Sequence, residues 1–442
     1  MSGMYDFGVR SGVATDHDYL LPESACTGDR DSFCPINYVY DYLPHRPVWL
    51  RPQSVSLDHV LTEGTSSSKS TNVGLMGSTR NSISLQPQAA ILPLHTGLEA
   101  FRQNKYWKAN EQAAIEILEL FADDNYCNEI TLPNGRSMSA LAKDQLKTPF
   151  RDSWNRFTIY MWANADETRS QLLAQCMVVG FMFDGMNALI RQRNCRNLAL
   201  MIVTKVRYVL DVWEDSSRET VVDAPFPKVA QRLIRDPATA SPLRNKMYEI
   251  KEDLLACDKE AGNAGCEVLQ ALIDFCCHAK PPPKTFSSVR AYLDYRWVDI
   301  ANGYTWACCK FSIRSSVTIE DPKFRRILHF IGDHISIVND IASYEKEKKG
   351  VDTSAATSMI NVVHVIMIVD RLEAKAAKSV AYAYQLHTEN EILEELKSIK
   401  KQNQFTEEDW RFVDTCLVAA CGNLFAAVVM SRYGGEATRV RV

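Results

Sequence analysis

The sequence predicts an all-α fold over residues 89–442, preceded by a loop-rich, partly disordered extension over residues 1–88. Three observations predict this division. Gly (19 residues) and Pro (17 residues) are sparse in a chain of 442 residues, which disfavours a turn-rich β-sandwich or propeller. From about residue 89 onward, apolar residues recur at helical spacing, and no alternating run between hairpin signals competes with them. Residues 1–88 are instead rich in Ser, Thr, Gly, Asn and Pro and show no helical period.

Each predicted helix rests on this spacing. Glu111–Ala122 places its apolar residues on one stripe, and Thr168–Arg193 is apolar on all faces near its centre, which is typical of a buried helix. Pro281, Pro282 and Pro283 form a break between two helices. The predicted helices span residues 111–122, 168–193, 197–212, 246–257, 265–278, 287–313, 321–347, 355–373, 390–400 and 407–432.

Composition excludes several classes of protein. Lys and Arg total 50 against 54 Asp and Glu, a net charge of −4, so binding to nucleic acid through phosphate neutralisation is not expected. The longest apolar run, Cys176–Phe183, is too short to span a bilayer, and the first 30 residues contain no apolar segment of a secretory signal. The 13 Cys are scattered without a CxxC pair. This pattern predicts reduced thiols in a cytoplasmic protein, with a structural zinc site as a weak alternative.

The segment Val338–Glu347 (VNDIASYEKE) carries the strongest chemical signal. Asn339, Ser343 and Glu347 are spaced four apart and therefore share one helix face over two turns. An amide oxygen, a hydroxyl and a carboxylate suit Mg²⁺ better than zinc, and phosphate oxygens commonly complete such a magnesium shell. On spacing alone a solvated polar helix end is an equally simple interpretation. The mostly apolar Ile331–Val338 before the motif disfavours it, because the motif then emerges from a buried helix.

This segment resembles the NSE metal motif of class I terpene synthases, N/D-D-x-x-S/T-x-x-x-E. Asn339, Ser343 and Glu347 match its ligands one by one, and Lys346 matches the Lys that often precedes the Glu. The resemblance implies the helical bundle of this family. It also implies bound Mg²⁺, three ions in the family, and a prenyl diphosphate as the small-molecule substrate.

A second resemblance places the first metal motif at Asp184. The Trp162 region followed by Cys176–Asp184 (CMVVGFMFD) is similar to the segment that precedes the aspartate-rich motif in fungal sesquiterpene synthases of the trichodiene synthase type. The chain then departs from the family pattern, because Gly185 and Ala188 replace the expected acids and Asn187 is the nearby polar group. A rival placement is the acidic stretch 211–215 (DVWED), which lacks the preceding Trp region.

The resemblance also assigns the groups that bind diphosphate. Arg296 lies 43 positions before Asn339, about where the family has its diphosphate-sensing arginine, and a guanidinium pairs with phosphate in a bidentate manner. Asp299 occupies the position of a linker acid, whereas Ile300 replaces the Gly often found next, so that we expect Gly303 to supply a helix break instead. Near residue 432, Arg432 and Tyr433 resemble the family's Arg-Tyr pair that closes over the diphosphate.

The implied reaction ionises the diphosphate and cyclises the resulting cation in an apolar pocket. We expect Phe181, Tyr304 and Trp306 to line this pocket, because aromatic faces stabilise cations, with Asn187 as a further substrate contact. The resemblance favours farnesyl diphosphate. The degraded first motif and the Ser/Thr-rich extension also resemble the humulene-forming cyclases of fungal tropolone-sesquiterpenoid pathways.

Three alternatives stay open at this point. A diterpene cyclase or a chain-elongating prenyltransferase would share the fold, although elongation normally requires two aspartate-rich motifs. A decayed, non-catalytic protein that binds prenyl diphosphates would explain the missing acids. No nucleic-acid or membrane partner is expected, and the sequence leaves open whether the protein forms a homodimer.

Overall fold

The computed structural model of the chain describes residues 81–85, 94, 96–98, 100–129, 136–148, 153–193, 241–261, 264–277, 282–353, 359–430 and 433. The side chains of residues 183–193 are outside that description. Most of the predicted extension and the predicted helix over 197–212 therefore lie outside the described residues.

The described part of the chain is almost entirely helical, as predicted. Two short strands, β1 (Ser82–Ser84) and β2 (Arg102–Asn104), pair antiparallel, with Ile83 opposite Gln103. The helices in this part of the chain are α1 (Trp107–Asp123), α2 (Asn125–Glu129), α3 (Met138–Leu146), α4 (Asn155–Met161), α5 (Glu167–Arg193), α6 (Pro242–Ala261), α7 (Ala264–Cys277), α8 (Val289–Asp299), α9 (Asn302–Ser312), α10 (Pro322–Asp352), α11 (Val362–Val369), α12 (Ala374–Gln402) and α13 (Glu407–Val429).

The core of the bundle forms around α10, which packs against both α12 and α13. Helix α13 also packs closely on α4, where a Cβ on Gly422 would lie 2.3 Å from the backbone of Tyr160. A side chain at that position would therefore separate the two helices. Within the described residues α13 is the one helix long and apolar enough to cross a membrane, but 94% of its apolar window is buried inside the bundle, as expected for a core helix.

A buried polar cluster ties the N-terminal part of the chain to the bundle. The Glu389 carboxylate on α12 accepts hydrogen bonds from Thr96 Oγ1 (2.6 Å) and Gly97 N (2.8 Å). His334 Nε2 on α10 lies 3.1 Å from the same carboxylate, and Gln385 Nε2 donates to it at 2.9 Å. We call these residues the Glu389 cluster. All of its residues lie within the predicted helical region, whereas the β1–β2 pairing joins residues 82–84, before the boundary predicted near residue 88, to residues 102–104 after it.

Two predicted helices differ in the structure. The helix predicted over 287–313 is two helices, because Ala301 has a left-handed φ of 60° that an α-helix cannot continue. The helix predicted over 355–373 reduces to the shorter α11, which ends before Arg371, another residue with positive φ (56°). The helix predicted over 390–400 is the second half of the longer α12.

Candidate active site

A cavity of about 410 Å³ opens between α4, α5, α7, α8, α9, α10 and α13. One end is polar, and the remainder is mostly apolar, with Thr305 and Asn423 as its polar residues. The polar residues at or near its mouth are Arg296, Asp299, Asn339, Lys346, Glu347 and Tyr433. The apolar wall is formed by Phe157, Met161, Met177, Phe181, Leu272, Phe275, Ile300, Ala301, Tyr304, Ile335 and Ile360.

Arg296 is held at the polar end by a buried carboxylate. Its Nε and Nη2 both donate to Asp340 Oδ1, at 3.1 and 2.9 Å, and Nη2 also donates to Asn339 Oδ1 at 3.3 Å. Asp340 is fully buried, and its other oxygen accepts from the Tyr292 hydroxyl and from the Val362 N–H. The guanidinium is thus oriented by α10 while its side chain keeps about 11% exposure to the cavity.

The break between α8 and α9 also faces the cavity. Asp299, the last residue of α8, pairs with Arg296 Nη1 and accepts from the Tyr295 hydroxyl at 3.1 Å. Ile300 and Ala301 follow in the bend and line the cavity. Gly303 was expected to break the helix, but it lies one residue inside α9 and a Cβ there would meet nothing within 4 Å. The break therefore depends on the left-handed backbone at Ala301.

The three predicted metal ligands lie together on α10. Asn339 and Glu347 line the cavity, and Ser343 lies between them, buried, with its hydroxyl donating to Glu347 Oε1 at 2.6 Å. The second oxygen of Glu347 accepts from Asn361 Nδ2 at 3.2 Å. The oxygens of this face are held in place by neighbouring donors, and the face opens onto the cavity.

Two carboxylates at this end, those of Glu347 and Asp340, have pKa values raised above their ordinary values. Burial raises the pKa of Glu347 to about 7, and repulsion from Asp340 adds to the shift. Burial also raises the pKa of Asp340, although Arg296 and the Tyr292 hydroxyl oppose that effect. Burial lowers the pKa of Arg296, but Asp340, Tyr292, Asp299 and Glu347 together outweigh burial, and the arginine pKa lies well above its usual range. Acidic groups here are incompletely compensated, and a bound cation would relieve the imbalance.

Lys346 and Tyr433 lie together at the rim of the cavity. The Lys346 ammonium lies 4.5 Å from the centroid of the Tyr433 ring, and Tyr433 packs edge-on against Phe157 at 5.7 Å. Tyr433 is buried, whereas Lys346 is exposed. Tyr433 therefore lies at the polar end, beside the face that carries Glu347.

The apolar wall includes two of the three predicted aromatic residues. Phe181 stacks on Trp154 at 4.9 Å, and Tyr304 packs edge-on against Trp162 at 5.7 Å. Trp306 differs from the expectation, since it does not line this cavity. Its ring is buried 6.2 Å from the ring of Trp297, because two positions along α9 turn a side chain to nearly the opposite side of the helix from Tyr304.

Several predicted site residues fall outside the described side chains. Asp184 and Asn187 lie on α5, one and two turns beyond Phe181, but their side chains are outside the description. Arg432 and the rival stretch 211–215 lie outside the described residues altogether. The choice between the two placements of the first metal motif therefore stays a prediction.

Two residues of the site, Asp340 and Tyr292, were missed as functional groups by sequence reasoning. Asp340 is the partner of Arg296, and Tyr292 supports Asp340 from one turn earlier on the helix of Arg296. The spacing of four between Tyr292 and Arg296 was a usable signal, because it places both on one helix face. The role of Asp340 was harder to find, because its partner lies 44 positions away.

The donor set fits a hard divalent cation. Asn339, Ser343 and Glu347 present three different oxygen groups on one face, which suits Mg²⁺. No cluster of three His, Cys, Asp or Glu occurs among the residues that the structure describes. The weak zinc alternative therefore gains no support in that part of the chain.

Comparison with known proteins finds a family model and relatives similar to this chain. Residues 228–391, which include Arg296 and the Asn339–Glu347 face, match the family model described as terpene synthase family 2, C-terminal metal binding. Terpene cyclase 6 of Gibberella fujikuroi is 23% identical over 364 residues, which cover 81% of this chain and 87% of that protein. Phomopsene synthase of Phomopsis amygdali is 25% identical over 155 residues, 35% of this chain and 21% of that protein.

The fold matches as well. Aristolochene synthase of Penicillium roqueforti superposes with a TM-score of 0.51 at 16% identity, over 72% of this chain and 93% of that one. At this identity the likeness supports the all-α fold alone. Residues 228–391 of this chain thus resemble the metal-binding part of terpene synthases, and most of the chain is similar in sequence to a fungal terpene cyclase.

Proposed function

We propose that the protein is a magnesium-dependent sesquiterpene cyclase that ionises farnesyl diphosphate, releases diphosphate and cyclises the remaining cation. The observation that supports this most is the two-part cavity. Its polar end carries Arg296, Asn339 and Glu347, and its body is apolar and aromatic. A substrate with an anionic head and a hydrocarbon tail fits such a division.

The polar end would bind the diphosphate and the metal. Asp184, Asn339, Ser343 and Glu347 would hold Mg²⁺, three ions by resemblance to the family. The bound metal would stabilise negative charge on the departing diphosphate. Arg296, Lys346, Arg432 and Tyr433 would bind the phosphate oxygens, which requires Arg296 to direct part of its guanidinium from Asp299 towards the cavity. Asp299 would thereby respond to substrate binding.

The apolar wall would control the cation. Phe181 and Tyr304 present aromatic surface to the cavity, and aromatic rings stabilise positive charge without reacting with it. Exclusion of water by the buried wall would favour cyclisation over capture of the cation by solvent. Loss of a proton would then give a hydrocarbon. The resemblance to humulene-forming cyclases favours a humulene-type product.

A diterpene cyclase is the second candidate. The sequence similarity to phomopsene synthase covers only 35% of this chain. The cavity volume of about 410 Å³ lies near the low end of the usual range for small-molecule sites, about 300–1,000 Å³. The preference for the C15 substrate rests on the resemblance to fungal sesquiterpene synthases. The cytoplasmic location that the cysteine pattern predicts, and the expectation of no nucleic-acid or membrane partner, agree with a diffusible substrate.

The test is product analysis with purified protein and Mg²⁺. Farnesyl diphosphate should give a volatile sesquiterpene, detected by gas chromatography of the headspace, together with released diphosphate. Geranylgeranyl diphosphate as sole substrate should give little product, and more product than from farnesyl diphosphate would favour the diterpene cyclase. Farnesyl plus isopentenyl diphosphate should give no longer diphosphate, since such a product would identify a prenyltransferase. Absence of diphosphate release from all three mixtures would support the non-catalytic alternative.

A further inference from the structure

Asn361, the residue that caps α11, contacts the metal-binding face of α10. It is fully buried. Its Oδ1 accepts from the Val363 N–H at 2.9 Å, which caps the helix. Its Nδ2 donates to the Asp340 carbonyl at 2.7 Å and to Glu347 Oε2 at 3.2 Å. The single amide therefore joins a helix start to a residue of the metal site.

The orientation of this amide is fixed by its partners. The Val363 N–H is a donor and must face an oxygen, whereas the Asp340 carbonyl and the Glu347 carboxylate are acceptors and must face the nitrogen. A flipped amide would place oxygen against oxygen at two points. Both N–H groups and the oxygen are thus used, and the side chain has one hydrogen-bonded arrangement.

Glu347 is consequently held from two sides. Ser343 Oγ donates to Oε1 and Asn361 Nδ2 donates to Oε2. Ser343 comes from the same helix, but Asn361 comes from the segment that follows α10. Donors on both oxygens restrict rotation of the carboxylate plane, so that a cation would meet a carboxylate that is already oriented.

The neighbours of Asn361 strengthen the connection. Val362 N donates to Asp340 Oδ2 at 2.9 Å, and Asp340 in turn orients Arg296. Ile360, on the other side, lines the cavity. Three consecutive residues thus touch the apolar wall, the proposed metal ligand and the partner of the proposed diphosphate-binding arginine.

We propose that Asn361 is a positioning residue that orients Glu347 for metal binding. This inference rests on the proposed function, in which Glu347 binds Mg²⁺. Helix capping alone does not explain the choice of residue, because capping uses only the side-chain oxygen and Ser or Thr would supply it nearly as well. The amide donor is the additional group, and it is directed at Glu347.

The test separates the donor from the cap. Asn361→Ser keeps a capping oxygen and removes the amide donor, whereas Asn361→Ala removes both. Binding is measured by calorimetry, with Mg²⁺ titrated into protein and inorganic pyrophosphate, and thermal unfolding is followed by circular dichroism. Asn361→Ser should weaken Mg²⁺ binding about tenfold or more, as is usual when a group that orients a metal ligand is lost. Its unfolding temperature should fall less than that of Asn361→Ala, because the capping oxygen is kept and only the donor to the Asp340 carbonyl and to Glu347 is lost.

A control variant and a double variant complete the design. Ser137 caps α3, and its side-chain oxygen accepts a hydrogen bond from Ala140 N. Ser137 does not line the cavity. Ser137→Ala should therefore lower thermal stability without changing Mg²⁺ binding. In a Glu347→Gln background, Asn361→Ser should cause little further loss of binding, because its effect passes through Glu347. If Asn361→Ser loses helical signal, Asn361→Thr provides the same comparison.

The outcomes are distinguishable. Wild-type binding in Asn361→Ser, or equal losses with and without the Glu347 carboxylate, would overturn the positioning role and leave the proposed function intact. Failure of the wild-type protein itself to bind Mg²⁺ with pyrophosphate would instead contradict the proposed function.

Discussion

Two buried polar clusters each include residues of α10. They differ in how far hydrogen-bond donors and positive charge compensate their carboxylates. The Glu389 cluster joins α10 to α12 and to Thr96, and none of its residues lines the cavity. The second cluster, which we call the Asp340 cluster, contains Arg296, Asn339, Asp340 and Glu347 at the polar end of the cavity. Both bury carboxylates, yet their electrostatics are opposite.

In the Glu389 cluster donors outnumber carboxylates. Burial works against the Glu389 carboxylate, but hydrogen bonds from His334, Gln385 and Thr96 outweigh it and the pKa of Glu389 is lowered. In the Asp340 cluster, burial dominates and the pKa values of Asp340 and Glu347 are raised. A buried carboxylate whose charge is compensated by hydrogen-bond donors stabilises the fold. A pair of buried carboxylates whose charge is only partly compensated favours binding of a cation. The comparison thus separates a structural cluster from a candidate metal site without reference to family.

The largest expected effect is on catalysis in the Asp340 cluster. Glu347→Ala or Asn339→Ala should reduce diphosphate release by at least about a hundredfold, because loss of a metal ligand removes several kcal/mol of charge stabilisation. Helical circular dichroism should not change. Diphosphate release is measured with farnesyl diphosphate under saturating Mg²⁺. Full activity in either variant would remove the reason to treat this cluster as a metal site.

Glu389→Ala is the matched variant in the other cluster. It leaves the Thr96, Gly97 and Gln385 donors without their buried acceptor, so the free energy of unfolding should fall by about 2–4 kcal/mol. Activity well below the unfolding temperature should be largely retained. A large activity loss with unchanged stability would mean that the two clusters are not functionally distinct.

The next prediction tests whether Asp184 or an acid of the stretch 211–215 is the metal ligand of the first metal motif. Asp184 lies on α5, the helix that carries the cavity residues Met177 and Phe181. Asp184→Asn should therefore reduce diphosphate release far more than Asp211→Asn or Asp215→Asn, since Mg²⁺ would lose an anionic ligand. The reverse ranking would place the first metal motif in the stretch 211–215.

A smaller effect is expected from Arg296→Lys. Lysine keeps the charge but cannot contact Asp340 and phosphate with a planar, multidentate group. Diphosphate release should fall about tenfold or more, from the 1.5–3 kcal/mol typical of a charge-assisted hydrogen bond. Arg290→Lys is a suitable control, since Arg290 also pairs with a carboxylate of α10, that of Asp333, but lies outside the cavity lining. Equal rates in the two variants would argue against phosphate binding by Arg296.

The smallest effect is a pH dependence of stability in metal-free protein. Glu347 has a pKa of about 7 in the folded state against an ordinary value of 4.5, so the folded state retains a proton that the unfolded state releases. The free energy of unfolding should therefore fall as pH rises from 5 to 8, by about 1–3 kcal/mol. Urea unfolding in EDTA measures this slope, and Glu347→Gln should flatten it. An unchanged slope in Glu347→Gln would assign the titration to another group.

The fold was largely predictable because helix periodicity is a local property. The helices around 168–193, 321–347 and 407–432 all occur, since each repeats apolar residues at helical spacing over several turns. A break was expected at Gly303, but its actual position at Ala301 was not predictable, because neither Gly nor Pro occurs there. The short strands were missed because three-residue strands carry almost no pattern.

The candidate site was predictable where its residues are close in sequence. Asn339, Ser343 and Glu347 follow from one spacing rule on one helix. The contact from Asn361 to Glu347 and the pairing of Arg296 with Asp340 join different helices, and composition and periodicity contain no information about such contacts. Trp306 shows the same limit, since the two positions that separate it from Tyr304 decide whether an aromatic ring faces the cavity or the core.

The close approach of Gly422 to Tyr160 has a consequence for how the chain folds. The two residues are separated by more than half of the chain, so α4 is synthesised long before its partner α13. At about 5–20 residues per second the delay is roughly 10–50 s. Through that interval the apolar surface that α13 covers has to be protected in some other way. Ribosome-bound chains ending before residue 407 should accordingly be cleaved readily by protease within α4, and longer chains that include α13 should resist cleavage there.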